Sequence, residues 1–251
     1  MKRRLTGLLA VAFWLAVWQI ASVTIGQEIL MVSPVSTFQT LLRLMGTAAF
    51  YQSVGNTFGR IALGFFLALT AGVALGTLAY FFRSARILLS PPLTAVKATP
   101  IASFVILALV WISSRNLSVF IAFLMALPLI YESQLSGLDG ADGKLLEMAE
   151  VFRLPAGRRA RAIYAPAAAP YLLAACRSAM GICWKAGVAA EVIGQPAFSI
   201  GDALYRAKLF LATDELFAWT AAVVILSLAF EKIAVRSIGA LERRLTGGST
   251  R

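Results

Sequence analysis

The chain contains no histidine. A His-based metal site and a His general base are therefore both excluded. Charge is scarce as well: 14% of the 251 residues are Asp, Glu, Lys or Arg, against about a quarter in a soluble globular domain. Acidic residues are the scarcer kind, 12 against 23 basic ones, and no pair of aspartates falls within an apolar run. No Gly-x-x-x-x-Gly-Lys-Ser/Thr phosphate loop occurs, so a process driven by ATP would need a second polypeptide to hold the nucleotide. The two cysteines, Cys176 and Cys183, sit seven residues apart in an apolar stretch. They read as small packing residues and leave the redox compartment open. With no internal repeat, low-complexity tract or separate soluble segment, residues 1–251 read as one domain.

What is present is hydrophobic surface. It makes up 59% of the residues, and the mean hydropathy is +0.79. No charge falls between Arg4 and Glu28 or between Arg60 and Arg83. Each run is longer than the roughly 20 residues that carry a helix across a bilayer. The net charge of +11 gathers at the ends of such runs, which suits a membrane protein and not a nucleic-acid partner. Lys2-Arg3-Arg4 ahead of an apolar run resembles a signal peptide, but the run is too long and lacks a small-x-small cleavage site, so an uncleaved first helix is expected.

Six membrane helices are predicted, over 5–26, 59–82, 87–113, 116–135, 168–192 and 216–237, giving an all-α polytopic fold. With the N-terminus inside, fifteen basic residues fall on the inner side (Lys2, Arg3, Arg4, Arg83, Arg86, Lys144, Arg153, Arg158, Arg159, Arg161, Lys232, Arg236, Arg243, Arg244 and Arg251). Five fall outside (Arg43, Arg60, Arg115, Arg206 and Lys208). This bias predicts that both termini face the cytoplasm. Between the first two spans, Ser33-Pro34-Val35-Ser36 opens a short external helix lying along the membrane.

Three cations fall within spans: Lys97, Arg177 and Lys185. Each costs about 2.5–3.5 kcal/mol at a helix centre, which argues against lipid-facing placement. The third span also carries Pro91, Pro92 and Pro100, tolerated where neighbours satisfy the freed carbonyls, so it belongs inside the bundle. Arg177, Gly181, Trp184, Val188 and Glu191 share one helical stripe with Lys185 at its edge. That stripe either lines a pathway or makes a structural contact, and Arg177 alternatively snorkels to the inner surface.

Residues 136–167 form the one long inner loop. Leu145, Leu146, Ala149 and Phe152 share one helical face while Glu147, Glu150 and Arg153 share another, predicting a short amphipathic helix. Leu154-Pro155-Ala156-Gly157 breaks it. A second short helix follows with Arg158, Arg159 and Arg161, and Pro166 opens the next span. Two readings stand: a helix pair bound by arginines to anionic lipid, or a docking site for a cytoplasmic partner.

The run from Glu147 to Pro166 resembles the EAA loop of binding-protein-dependent ABC importer permeases, whose pattern is Glu-Ala-Ala, three residues, Gly, nine residues, Ile-x-Leu-Pro. Glu147, Met148 and Ala149 stand for Glu-Ala-Ala, and Ile163 and Pro166 fall at the matching spacing. Arg153 occupies the glycine position and Ala165 the leucine position, with Pro155 and Gly157 supplying a displaced break. Ser33-Pro34-Val35-Ser36, Gly64-Phe65-Phe66-Leu67, Gly72-Val73-Ala74-Leu75-Gly76, Trp184 and Ala190-Glu191-Val192-Ile193-Gly194 resemble other segments of that family, in order. The nearest subfamily is the permeases for aliphatic sulfonates, taurine and nitrate.

The resemblance implies a type I importer permease in the bacterial inner membrane, itself not an enzyme. It implies a homodimer, two copies of a separate ATPase carrying ATP and magnesium, and an extracytoplasmic solute-binding protein. No cofactor on this chain is expected. Glu147, Met148, Ala149, Glu150, Arg153, Gly157, Ile163 and Pro166 would couple to the ATPase. Lys97, Pro100, Arg177, Trp184, Lys185 and Glu191 would belong to the pathway of a small anionic or polar solute. Two other classes compete. An ion-gradient-driven transporter or channel would use intramembrane carboxylates, for which only Glu132 and Glu191 qualify, and inverted repeats, which are not seen. A membrane-embedded enzyme lacks its catalytic groups.

Overall fold

The computed structural model describes the backbone of residues 2–245 and the side chains of Thr6 and of residues 9–232. Arg251 lies outside the described residues, as do the side chains of Lys2, Arg3, Arg4, Arg236, Arg243 and Arg244. All regular structure in the described residues is helical, so the expected all-α polytopic fold is borne out. In chain order the helices are α1 (Lys2–Ile25), α2 (Pro34–Met45), α3 (Ala48–Phe81), α4 (Arg83–Ala98), α5 (Ile101–Ala108) and α6 (Ser114–Asp139). Then come α7 (Gly143–Val151), α8 (Ala156–Arg159), a π-helical turn (Ala160–Tyr164), α9 (Ala165–Gly194), α10 (Ile200–Leu209) and α11 (Thr213–Leu245).

α3, α6 and the Thr213–Lys232 part of α11 are long and apolar enough to cross a membrane, as is the bent pair α4–α5 taken as one span. The apolar Leu9–Ile25 stretch of α1 is shorter, and α9 is long enough at 30 residues but carries Arg177 and Lys185, so length and hydropathy mark out three of the six expected spans, or four with the bent pair. α3 is longer than hydropathy suggests. Thr47 caps it by accepting from the Phe50 amide, and its first turns carry Gln52, Ser53, Asn56 and Thr57, which lower the local hydropathy without breaking the helix.

α3 and α6 pack in parallel. Gly64 of α3 lies against Val119 and Ala122, Gly72 against Ile130, and Gly76 against Gln134, so the contact advances in the same direction on both helices. Gly64, Ala68, Gly72 and Gly76 recur every four residues and offer nothing larger than a methyl group from α3 at the contact, the small-residue geometry by which membrane helices associate. Parallel neighbours force the chain between them to return the full length of α3. Residues 82–113, expected as one helix, therefore cross as a broken span. α4 and α5 meet at 105°, because Pro100 has no amide hydrogen and holds Thr99 extended (ψ 133°). Leu93 of α4 packs with Ala79, Tyr131 and Leu135 at one end of the bundle. Val105 and Ala108 of α5 pack with Leu117 and Ile121 at the other.

α9 runs antiparallel to α6 through the centre. Ala168 lies against Gly137, and Gly187 against Ile61. Its Cys176, Met180, Cys183 and Trp184 share the main core with Ile61, Phe65, Ala122, Ala126 and Trp219. The α6–α9 connection closes one end of the bundle (the α7 end), and α2 and α10 close the far end. There Arg43 of α2 meets Asp214 at 3.1 Å.

Candidate functional site

α7 starts at Asp142, whose carboxylate accepts from the Lys144 amide at 2.9 Å. It stops in a way that bears directly on the missing glycine. Arg153 takes a left-handed backbone, φ +49°, its amide donates to Glu150 O at 2.9 Å, and the Leu154 amide reaches back to Ala149 O at 2.8 Å. These two bonds form a Schellman ending, the geometry in which glycine is favoured. The turn thus falls on Arg153 itself, and Pro155 follows as the N-cap of α8. Gly157 lies exposed in α8, where an added Cβ meets nothing.

The exposure pattern of the loop divides the expected coupling residues. Ala149 (1% exposed) and Ile163 are buried, whereas Glu147, Met148, Glu150, Arg153 and Gly157 are exposed. The largest open apolar surface on α7 belongs to Val151 (79%) and Phe152 (72%), which the motif does not single out. At the root of α9 the Ala165 amide bonds to Ala160 O, five residues back. This π turn lies directly ahead of half-buried Pro166. A widened turn there relieves the clash that a proline ring makes with the preceding turn.

The exposed side of α9 differs in chemistry from those of α1 and α3. α1 and α3 turn Phe13, Trp14, Ile20, Leu63 and Phe66 outward, as lipid-facing helices do. α9 instead exposes Ala174, Arg177, Ser178, Lys185 and Ala189, with Gly181 half-exposed among them. A Cβ at Gly181 would meet nothing within 4 Å. Arg177 and Lys185 both fall between Ala168, which packs on Gly137 of α6, and Gly187, which packs on Ile61 at the start of α3's uncharged run. Neither has an acidic partner among the described residues. Unpaired cations within a membrane span are stable only against water or another subunit.

Lys97 does have a partner. Its Nζ donates to Glu132 of α6 at 2.7 and 3.0 Å, with the two side chains 49% and 51% exposed. This pair stands one turn before the Thr99-Pro100 break. The 35 residues that separate it in sequence gave no spacing signal.

Trp184 and Glu191 face inward. Trp184 donates Nε1–H to Val223 O at 3.1 Å beside Phe58 and Phe230. Glu191 is fully enclosed (0% exposed) and accepts from Thr57 Oγ1 at 2.7 Å, Arg60 Nη1 at 3.2 Å, Ser118 Oγ at 3.3 Å and the Gly201 amide at 3.5 Å. The Ile200 amide completes the group by donating to Thr57 Oγ1 at 3.0 Å. One carboxylate thus ties α3, α6, α9 and α10 together. Losing one partner of such a buried pair typically costs about 3–5 kcal/mol, which makes this a structural clamp in the present conformation. Sequence reasoning counted Arg60 as an external charge. The recognisable signal was Ser199-x-x-Asp202, a helix start in which Ser199 Oγ accepts from the Asp202 amide and which brings Gly201 onto Glu191.

A bundle of membrane-length helices whose central member turns small and cationic residues to its open side has the design of a membrane transport subunit. The chain belongs to the family described as binding-protein-dependent transport system inner membrane component, matching it over residues 61–247. It is a permease component of an ABC transport system and not an enzyme, and the ion-gradient alternative falls away. It is 27% identical to the putative aliphatic sulfonates transport permease protein SsuC of Bacillus subtilis, over 95% of this chain and 86% of that one. It is 24% identical to the taurine transport system permease protein TauC of Escherichia coli, over 91% and 84% of the two chains. The nitrate import permease protein NrtB of Synechococcus elongatus is 24% identical, over 84% and 86%.

Proposed function

We propose that two copies of this chain enclose the pathway of an ATP-driven importer for a small anionic or polar solute. The observation that carries the reading is the open face of α9, where Arg177 and Lys185 stand among Ala174, Ser178, Gly181 and Ala189 with no acidic partner among the described residues. A second copy covering this face would make a water-filled cleft, and two cations in it raise the local concentration of anions. Aliphatic sulfonates, taurine and nitrate, for which the relatives are named, each carry an anionic group. Lys97 contributes less than its charge suggests because Glu132 compensates it. Pro100 gives the third span its break, while Trp184 and Glu191 hold the bundle together.

The α7 end faces the cytoplasm in this reading, as the basic residues there favour. Two copies of a separate ATPase holding ATP and magnesium dock on the loop through Glu147, Met148, Glu150 and Arg153, with Val151 and Phe152 as apolar anchors. Ala149, Ile163 and Pro166 shape the loop from within, and Gly157 keeps α8 open to close approach. A solute-binding protein delivers cargo at the far end.

The test is uptake in vesicles reconstituted with permease, ATPase and binding protein. Arg177→Gln and Lys185→Gln should each slow uptake of an anionic solute about tenfold, corresponding to about 1.4 kcal/mol, with ATPase assembly intact. Uptake at the wild-type rate by the double variant rules out the anion pathway.

A further inference from the structure

A cavity of about 550 Å³ lies beneath the root of α9 and has no part in the transport reading. Val73 and Phe81 of α3, Leu138 of α6 and Leu172 of α9 give it apolar walls, and Arg159 and Tyr164 line it from the α8 side. Val73 and Phe81 belong to the second half of α3's uncharged run, so these walls lie at the depth of the acyl chains of one leaflet. Tyr164 contacts the rings of Tyr80 and Phe81, with centroids at 5.6 and 5.8 Å. Arg159, more than a turn earlier in the chain, therefore stands near the end of that run, where lipid phosphates lie.

The wall also carries a polar side chain. Gln134 is buried and lines the cavity. Its Nε2 donates to Thr77 Oγ1 at 3.0 Å, but its Oε1 has no donor among the described residues.

A soluble ion does not suit walls that are mostly apolar, whereas an acyl chain does. A single guanidinium at the rim then complements a phosphate, with exposed Arg158 and Arg161 reinforcing the field. Basic pockets between membrane helices on the cytoplasmic side bind anionic headgroups in this way. We propose that this cavity seats one acyl chain of an anionic phospholipid whose phosphate is held by Arg159, tethering α8 and the π turn to the bilayer. The site is independent of what the permease transports.

The experiment is native mass spectrometry of the purified full-length permease, offered phosphatidylglycerol or phosphatidylcholine with identical acyl chains. Wild type should retain phosphatidylglycerol about fivefold better, the effect of about one basic contact near a membrane surface. Arg159→Gln should abolish that preference while Arg158→Gln, outside the cavity wall, keeps it. Ala169→Phe, which projects into the cavity from α9, should lower retention of both lipids. Equal retention of the two lipids by wild type overturns the proposal. So does equal loss with Arg158→Gln and Arg159→Gln, which would mean diffuse attraction, or undiminished retention by Ala169→Phe.

Discussion

At the scale of single residues, Arg153 shows how a motif departure is absorbed. The family pattern asks for glycine where α7 ends, and the sequence offers arginine, so the turn was expected two to four residues later, at Pro155 and Gly157. The backbone makes the turn at Arg153 regardless, at φ +49°, because the bonds from Arg153 and Leu154 to Glu150 and Ala149 hold it there. A left-handed residue with a Cβ costs roughly 1–2 kcal/mol, and glycine escapes that cost. Arg153→Gly is therefore expected to tighten the loop. Hydrogen exchange at the Leu154 amide, bonded to Ala149 O, should slow by about fivefold or more, the equivalent of about 1 kcal/mol. Unchanged or faster exchange would show that the left-handed turn carries no strain. The same scale marks a limit of sequence reading. Glu191 fell on the stripe with Arg177, yet its partners Thr57, Arg60, Ser118 and Gly201 come from three other helices, and no periodicity along α9 reveals them.

At the scale of elements, hydropathy located the long helices well because burial in lipid requires long apolar runs, which are local properties of sequence. It failed where tertiary geometry decides. The third span breaks at 105°, although its composition stays apolar through the break, and α10 was not anticipated because it is short and polar. The two glycine positions Gly72 and Gly181 look alike in sequence and differ completely in environment. A Cβ at Gly72 would lie 2.8 Å from Ile130 Cγ2 and 3.2 Å from the Tyr131 amide, forcing α3 away from α6. At Gly181 it would meet nothing within 4 Å. Gly72→Leu should therefore destabilise the fold by about 1–3 kcal/mol or more, seen as a lower Tm in detergent. Gly181→Leu should leave Tm unchanged or raised, since leucine favours a helix over glycine by up to about 1 kcal/mol, but should slow uptake by narrowing the cleft. Normal uptake with Gly181→Leu would place the pathway elsewhere.

At the scale of the whole molecule, the question is which end meets the ATPase and through which atoms. In the proposed reading charge bias puts the α7 end in the cytoplasm, and the family motif points to Glu147-Met148-Ala149 as the contact. The exposure pattern changes the second part. Ala149 faces inward, so a large residue there would disrupt the loop before it touched a partner, whereas Phe152 and Val151 are presented outward. Two large apolar side chains open to solvent at the tip of a short helix have the form of an anchor that enters a partner's groove. Phe152→Cys tests orientation and docking together, with buried Cys176 and Cys183 giving the wild-type blank. An impermeant thiol reagent should leave Phe152→Cys unlabelled in intact cells and label it in inverted vesicles stripped of ATPase. Adding back the ATPase should then protect it. Lys208→Cys, exposed on α10 at the far end, should show the opposite sidedness and no protection. Labelling of Phe152→Cys in intact cells would invert the topology. Correct sidedness without protection would leave the topology standing and move the ATPase contact off this helix tip.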